Sequence, residues 1–258
     1  MFIEELSLIN FKNFEQAEMS FSPDLNCFIG NNGAGKTNLM DAIYYLSFCK
    51  SFHNPVDVQN IRHEEEFFVI QGKFKRFEKE ENIYCGLKKG HKKQFKRNKK
   101  EYKKLAEHIG LLPLIIITPS DINLIMGGSD ERRKFIDTVI SLYNQVYLDN
   151  LIKYNRALLQ RNNLLKQFAS GLPFNSESLE IWDDQLVLYA KTIHQERKAY
   201  IEKFLPVFQK YYNLISGGNE LIGLEHQSHL YEDNFANQLK ASRQRDRAMQ
   251  FTTVGIHK

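Results

Sequence analysis

Gly30 and Gly35 bracket four residues, and Lys36 and Thr37 follow at once, giving Gly-x-x-x-x-Gly-Lys-Thr within FIGNNGAGKTNLMDAIYYL. No other stretch of the chain restricts the backbone so tightly. Glycines permit the φ/ψ values that turn successive N–H groups inward, and these donors, with the positive end of the helix they open, form an anion socket. At this spacing the lysine reaches β- and γ-phosphates and the next hydroxyl sits on Mg²⁺. Gly30, Asn31, Asn32, Gly33, Ala34, Gly35, Lys36, Thr37 and Asn38 are therefore the candidates for holding a nucleoside triphosphate, with Thr37 also the candidate metal ligand. The flanks agree. LNCFI (Leu25–Ile29) reads as a short buried strand, and KTNLMDAIYYLSF carries Leu39, Ile43 and Leu46 at helical spacing.

The length of 258 residues fits one large domain or two, and 42% hydrophobic residues suffice for a core. Cys27, Cys49 and Cys85 are odd in number and form no Cys-x-x-Cys, which points away from a disulfide framework or a zinc site and towards a reducing compartment, the cytoplasm. The N-terminal MFIEELS is acidic where a secretory leader needs a basic region, and the longest apolar run, IGLLPLIII, is interrupted by Pro113. The expectation is a chain neither secreted nor membrane-spanning.

Charge is unevenly spread. From Lys88 to Lys104 the sequence KKGHKKQFKRNKKEYKK holds ten Lys or Arg against Glu101 alone, a local +9 in a chain whose total is +4, so the rest is net negative. Gly90 and Asn98 punctuate the run and Phe95 and Tyr102 interleave it, which predicts a β-hairpin (Ile83–Leu87, then Gln94–Arg97) leading into a short helix from Glu101. Such a run tracks phosphates by displacing condensed counterions, making Lys88, Lys89, Lys92, Lys93, Lys96, Arg97, Lys99 and Lys100 candidate DNA contacts. The competing reading is a solvated hairpin whose lysines aid solubility.

Strand-like alternation occupies FIEELSLINF, QAEMSFS and EFFVIQGKFKRF, and LPLIIIT reads as a central strand, apolar on both faces. The texture changes near Gly127. Ser129 is a candidate N-cap with Asp130 and Glu131 in the first turn, and apolar residues then recur at helical spacing from Phe135 to Phe168. ASGLPFNS breaks the pattern before a second helical run, from Leu179 to Tyr211, in which Pro206 should kink the last turns. ELIGLEHQ and FTTVGIH look like strands again. The predicted organisation is a loop-bearing part over 1–128, an inserted helical hairpin over 129–214 and a return to the first part over 215–258.

Hydrolysis would require an apolar strand ending in Asp, usually followed by Glu, to hold Mg²⁺ and orient water. No stretch fits. In LIIITPSD, three residues separate the strand from Asp121; HLYEDN has acids without a strand; ISGGNE (Ile215–Glu220) resembles an LSGGQ signature but lacks the helix and strand that should follow; NKKE carries Glu101 where a guanine-reading motif needs Asp.

INFKNF followed by LNCFIGNNGAGKTNLMDAIYYL resembles the N-terminus of ATPases of the RecF and structural-maintenance-of-chromosomes type. IIITPSDINLIMGGSDERRKFIDTVI and RDRAMQFTTVGIHK are similar to later RecF segments, so the resemblance spans Met1 to Lys258. It implies an α/β fold, a P-loop ABC-type ATPase head whose mixed sheet has an antiparallel N-terminal part, with a long helical hairpin arm inserted. It further implies ATP and Mg²⁺ as cofactors and an ATP-dependent homodimer that clamps single- and double-stranded DNA at junctions. Recombinase loading at gaps follows, with RecR and RecO as partners and no membrane. Lys12 and Asn13 would lie near the nucleotide, and Arg132 and Arg133 would either face DNA or brace a helix start. The family is a slow DNA-dependent ATPase, but its signature and Walker B acids are expected beyond the last residue of this chain, which leaves hydrolysis open. One departure is SFHN (Ser51–Asn54), where many members read Ser-His-Arg, placing a basic phosphate contact there in doubt. The alternatives are a small-molecule phosphotransferase built on the same loop and a DNA-binding fragment that makes no use of ATP.

Overall fold

Alternation along the first strand sets the architecture. In β1 (Phe2–Phe11), Leu6 and Leu8 are buried while Glu5 and Ser7 face outward, as the two-residue period of a strand with one solvated face requires. The computed structural model describes residues 1–231 and 234–258 and divides them into two compact units, Met1–Ile117 and Thr118–Lys258.

In the first unit, β1 is joined by β2 (Phe14–Ser20), β3 (Phe67–Arg76), β4 (Lys79–Lys88), β5 (Gln94–Arg97) and β6 (Lys100–Glu101) in one sheet of order β2-β1-β3-β4-β5-β6. Every pairing is antiparallel. Helix α1 (Lys36–Phe48) covers the inner face, placing Leu39, Ala42, Tyr45 and Leu46 among Leu6, Leu8, Phe68, Ile70, Ile83 and Phe95. Each such side chain taken out of water contributes roughly 1.5–3 kcal/mol. The approach is close at Gly72, where an added Cβ would stand 2.5 Å from the Leu46 side chain. His108 ties the chain after β6 to α1, with Nε2–H donating to the Leu46 carbonyl at 2.7 Å and Nδ1 accepting from Tyr102 at 3.0 Å.

The second unit is helical. It contains α2 (Asn123–Met126), α3 (Ser129–Ser141), α4 (Gln145–Ala169), α5 (Ser176–Ser216) and α6 (Phe235–Met249). Asn144 and Asn175 cap α4 and α5 through side-chain oxygens that accept from backbone N–H groups in the first turn. Ile140, Tyr147, Tyr154, Leu186, Ile193 and Leu239 form the common core. Two buried arginines cross-link it. Arg161 donates to Asp183 at 2.6 Å and Asp246 at 2.7 Å, and Arg197 donates to both oxygens of Asp137 at 2.8 and 2.9 Å.

Several sequence expectations are corrected. Leu25–Ile29 is not a strand and lies exposed, with Ile29 at 96%; residues 113–118 are likewise irregular, with Ile117 at 80%. A strand exists only through a ladder to a neighbour, and neither segment pairs with the sheet among the described residues. The stretches ELIGLEHQ and FTTVGIH are irregular for the same reason. Glu101 ends the two-residue β6 and opens no helix; a 3₁₀ turn follows only at Leu105–Glu107. Gly128, not Ser129, holds the N-cap position of α3, and the long run from 129 to 169 is divided by a turn at 142–144.

Candidate nucleotide-binding site

The site is built where the β1–β2 turn meets the start of α1. The loop before α1 holds Gly33 at φ 84° and Gly35 at φ 102°, left-handed values that a side chain would strain. Gly35 is doubly constrained, because a Cβ there would come within 2.6 Å of the Asn13 amide. Asn13 in turn accepts from the Asn38 side chain at 2.7 Å, so the turn residue named from sequence does touch the loop. Lys36 arches over the loop, its ammonium donating to the carbonyls of Gly30 at 2.7 Å and Asn31 at 2.9 Å. Thr37 is exposed in the first turn of α1. The first four N–H groups of a helix have no intrahelical acceptor, and at α1 they meet a lysine ammonium at the same end. This combination of donors fits an anion, and the residues present fit the triphosphate of a nucleotide.

Lys12, beside Asn13 in the β1–β2 turn, ion-pairs with Asp41, which lies about one turn beyond Thr37 on α1 and is fully buried. Asp41 also accepts from the Ser51 hydroxyl and the Phe52 N–H, each at 2.6 Å. Sequence reasoning missed this carboxylate. An acid flanked by the apolar Leu39, Ala42, Tyr45 and Leu46 of α1 was the available signal. In SFHN, Ser51 is thus a structural hydrogen-bonding residue.

The basic hairpin separates into two sets. Lys88, Lys89, Lys92, Lys99 and Lys100 are exposed, Lys89 being paired with Glu66 at 3.1 Å. Lys93 is not a surface residue. Its ammonium bonds Asp57 at 2.6 Å, the Cys49 carbonyl at 2.7 Å and the Tyr45 hydroxyl at 3.2 Å. Burial pushes the neighbouring Cys49 thiol up to about 12, so it stays protonated and inert. Arg97 forms a two-pronged pair with the buried Glu81, and this bond holds the Glu81 carboxyl below the usual range against the opposing effect of burial. Lys96 lies over the Tyr84 ring, 5.1 Å from its centroid. Lys93, committed to its three bonds, is corrected from a DNA-surface residue to an interior one, whereas Arg97 keeps 39% of its side chain exposed beside Glu81.

In the second unit, Arg132 donates to the carbonyls of Leu124 and Gly127, and Arg133 pairs with Asp130 and donates to the His257 carbonyl. Both brace the start of α3. Asp121 caps a 3₁₀ turn by accepting from the Thr118 N–H at 2.6 Å. The Glu232 and Asp233 acids of HLYEDN lie outside the described residues. Among the described residues, no cluster of three or more His, Cys, Asp or Glu could hold a metal, and no helix is long and apolar enough to cross a membrane.

A Gly-rich loop opening a helix that packs on an antiparallel sheet defines a P-loop ATPase domain, and residues 1–245 match the family model of the AAA ATPase domain. Comparison with known proteins narrows this class. The chain is 51% identical over its full length to the DNA replication and repair protein RecF of Bacteroides thetaiotaomicron, covering 69% of that protein, and 46% identical to that of Flavobacterium johnsoniae, covering 72%. It therefore belongs to the RecF family. Two solved structures of the recombination mediator protein RecF in the RecFOR pathway are similar: RecF-ATPrS, with a TM-score of 0.91 and 30% identity over 99% of this chain and 71% of that one, and RecF-ATP, with 0.87 and 29% over 100% and 71%.

Proposed function

We propose that the chain acts in DNA replication and recombinational repair as an ATP-responsive DNA-binding protein, gripping the triphosphate with the loop from Gly30 to Asn38. The observation that carries this reading is the Lys36 ammonium arched over loop carbonyls at a helix N-terminus, with Asn13 braced against Gly35 and Asn38. Lys36 would supply charge to the β- and γ-phosphates, the backbone of Gly33 to Thr37 would supply donors, and the Thr37 hydroxyl would hold Mg²⁺. When bound, Mg²⁺ would supply neutralising charge to the phosphates. Lys12, held by Asp41, orders the turn that presents Asn13. DNA, single- or double-stranded and at junctions, is met by Lys88, Lys89, Lys92, Lys99 and Lys100, with Lys96 at their margin. RecR and RecO are the proposed partners, homodimerisation around ATP the proposed assembly of the full-length family, and the cytoplasm the proposed location.

Asp121 is engaged in capping and Asp41 in pairing, so neither is free to orient water. The proposal is therefore binding without appreciable turnover. Nucleotide titration with and without DNA, together with steady-state phosphate release, tests it. Saturable ATP binding that DNA changes, with release at background, is expected; release that Lys36→Ala abolishes would show that one of these acids is catalytic. ATP binding indifferent to DNA would favour a small-molecule phosphotransferase, and DNA binding without any ATP binding would favour the fragment reading.

A further inference from the structure

The segment from Thr252 to His257 is irregular, yet its polar groups are held from every neighbouring helix. Asn162 of α4 accepts from the Thr252 N–H at 2.8 Å and hydroxyl at 2.7 Å, and Asp246 of α6 accepts from the Thr253 N–H at 2.9 Å and hydroxyl at 2.6 Å. Arg197 of α5 donates to the Ile256 carbonyl at 2.7 Å, and Arg133 of α3 to that of His257 at 3.2 Å. Gly255, at φ 135°, lets the turn close on Tyr154, since a Cβ there would stand 2.5 Å from the tyrosine oxygen.

Two histidines complete the clamp. The His229 Nδ1 accepts from the Gly255 N–H at 3.0 Å, while the His229 carbonyl accepts from Gln238 of α6. In His257, Nε2 faces the Thr252 carbonyl at 3.2 Å and must donate, which leaves Nδ1 as the acceptor for the Tyr154 hydroxyl at 3.0 Å. The bond to Tyr154 needs an unprotonated Nδ1, because a proton on His257 would leave the buried Tyr154 hydrogen without its acceptor.

We propose that the turn 252–257 is a proton-gated latch, which neutral His257 holds against helices α3 to α6 and which opens when acid protonates it. The groups facing it are His229, Arg133 from α3, Tyr154 from α4, Arg197 from α5 and the adjacent Lys258, with Asp246 of α6 already engaged by Arg161 and Thr253. An imidazolium there would be added to a cationic neighbourhood. Burial brings His257 down to about 4 against the opposing hydrogen bond to the Thr252 carbonyl, with smaller help from the Lys258 and Arg133 charges. A free histidine titrates near ~6.5, so the opened turn binds more protons than the closed one between those values. The latch is fully set above pH ~6.5 and is lost progressively as pH falls through ~5 towards ~4.

Amide hydrogen exchange of the 258-residue chain, corrected for intrinsic chemistry and compared at pH 7 and pH 5, tests the proposal. With a folded value of about 4 against ~6.5 when open, the Thr252–Ile256 amides should lose about 20-fold of their protection between pH 7 and pH 5. The α4 and α5 core amides should lose far less. The variant His257→Asn keeps an oxygen acceptor that does not titrate and should hold protection nearly constant. Equal protection of the wild type at both pH values would overturn the latch, as would equal loss throughout α4 and α5, or an undiminished loss in the variant. Should His257→Asn fail to fold by circular dichroism, His257→Gln should cut the acid-induced loss below about fivefold, and an unchanged loss contradicts the proposal.

Discussion

Lys93 and Lys92 are adjacent in the same basic run but have opposite roles. Lys93 is two residues before Phe95, so strand parity places both on the core face, where Phe95 is 1% exposed. Truncating Lys93 would leave Asp57 and the Tyr45 hydroxyl without their cation. Losing a partner from such a site costs roughly 1–3 kcal/mol, so Lys93→Ala should lower the urea midpoint while DNA affinity, measured on the folded fraction, changes little. Lys92→Ala should do the reverse: stability within about 0.5 kcal/mol of wild type, and a weaker DNA complex. The two variants exchanging these phenotypes would refute the division. The composition of the run is plain in the sequence, but its sidedness rests on strand parity, which reading the run as uniformly basic overlooked.

Among the elements, β1, β2, α1, β3, β4 and β5 were legible because each carries its own period, two or 3.6 residues, in its apolar positions. Leu25–Ile29 and Leu114–Ile117 were not. Their apolar content states a preference for burial, whereas strand pairing is a non-local fact that no short window contains. The loop of the candidate site was legible from its spacing, and Asn13 only through resemblance; the Asp41 anchor needed the helix to be seen in place. At this scale the DNA reading makes a quantitative prediction. Changing Lys88, Lys92, Lys99 and Lys100 to Glu should flatten the log–log salt dependence of DNA binding by about 0.9 for each duplex phosphate that is no longer neutralised. An unchanged slope in fluorescence anisotropy titrations would make these lysines solvated surface.

For the molecule as a whole, membership of the RecF family joins the loop, the basic hairpin and the helical unit in one working protein, and acid should weaken more than the latch. In the first unit His108 is buried and neutral, and desolvation brings it down to about 4 despite the favourable Leu46 carbonyl. Since the unfolded residue titrates near ~6.5, this unit should be fully stable above that pH and lose up to ~3 kcal/mol as pH falls to ~4. Urea midpoints of the wild type and of His108→Gln, recorded from pH 7 to pH 4.5, check it: the wild type should decline more steeply, and parallel curves would remove His108 from the account.

The central claim is that the loop grips a nucleotide through its phosphates, and a titration of the chain with a fluorescent ATP analogue and Mg²⁺, beside Lys36→Ala, addresses it directly. A hydrogen bond to a charged group is worth ~1.5–3 kcal/mol, and ~1.4 kcal/mol is a factor of ten in affinity. The wild type should therefore saturate, and Lys36→Ala should bind at least ~10-fold more weakly with an unchanged circular dichroism spectrum. Equal affinities in the two proteins would contradict the assignment of the loop.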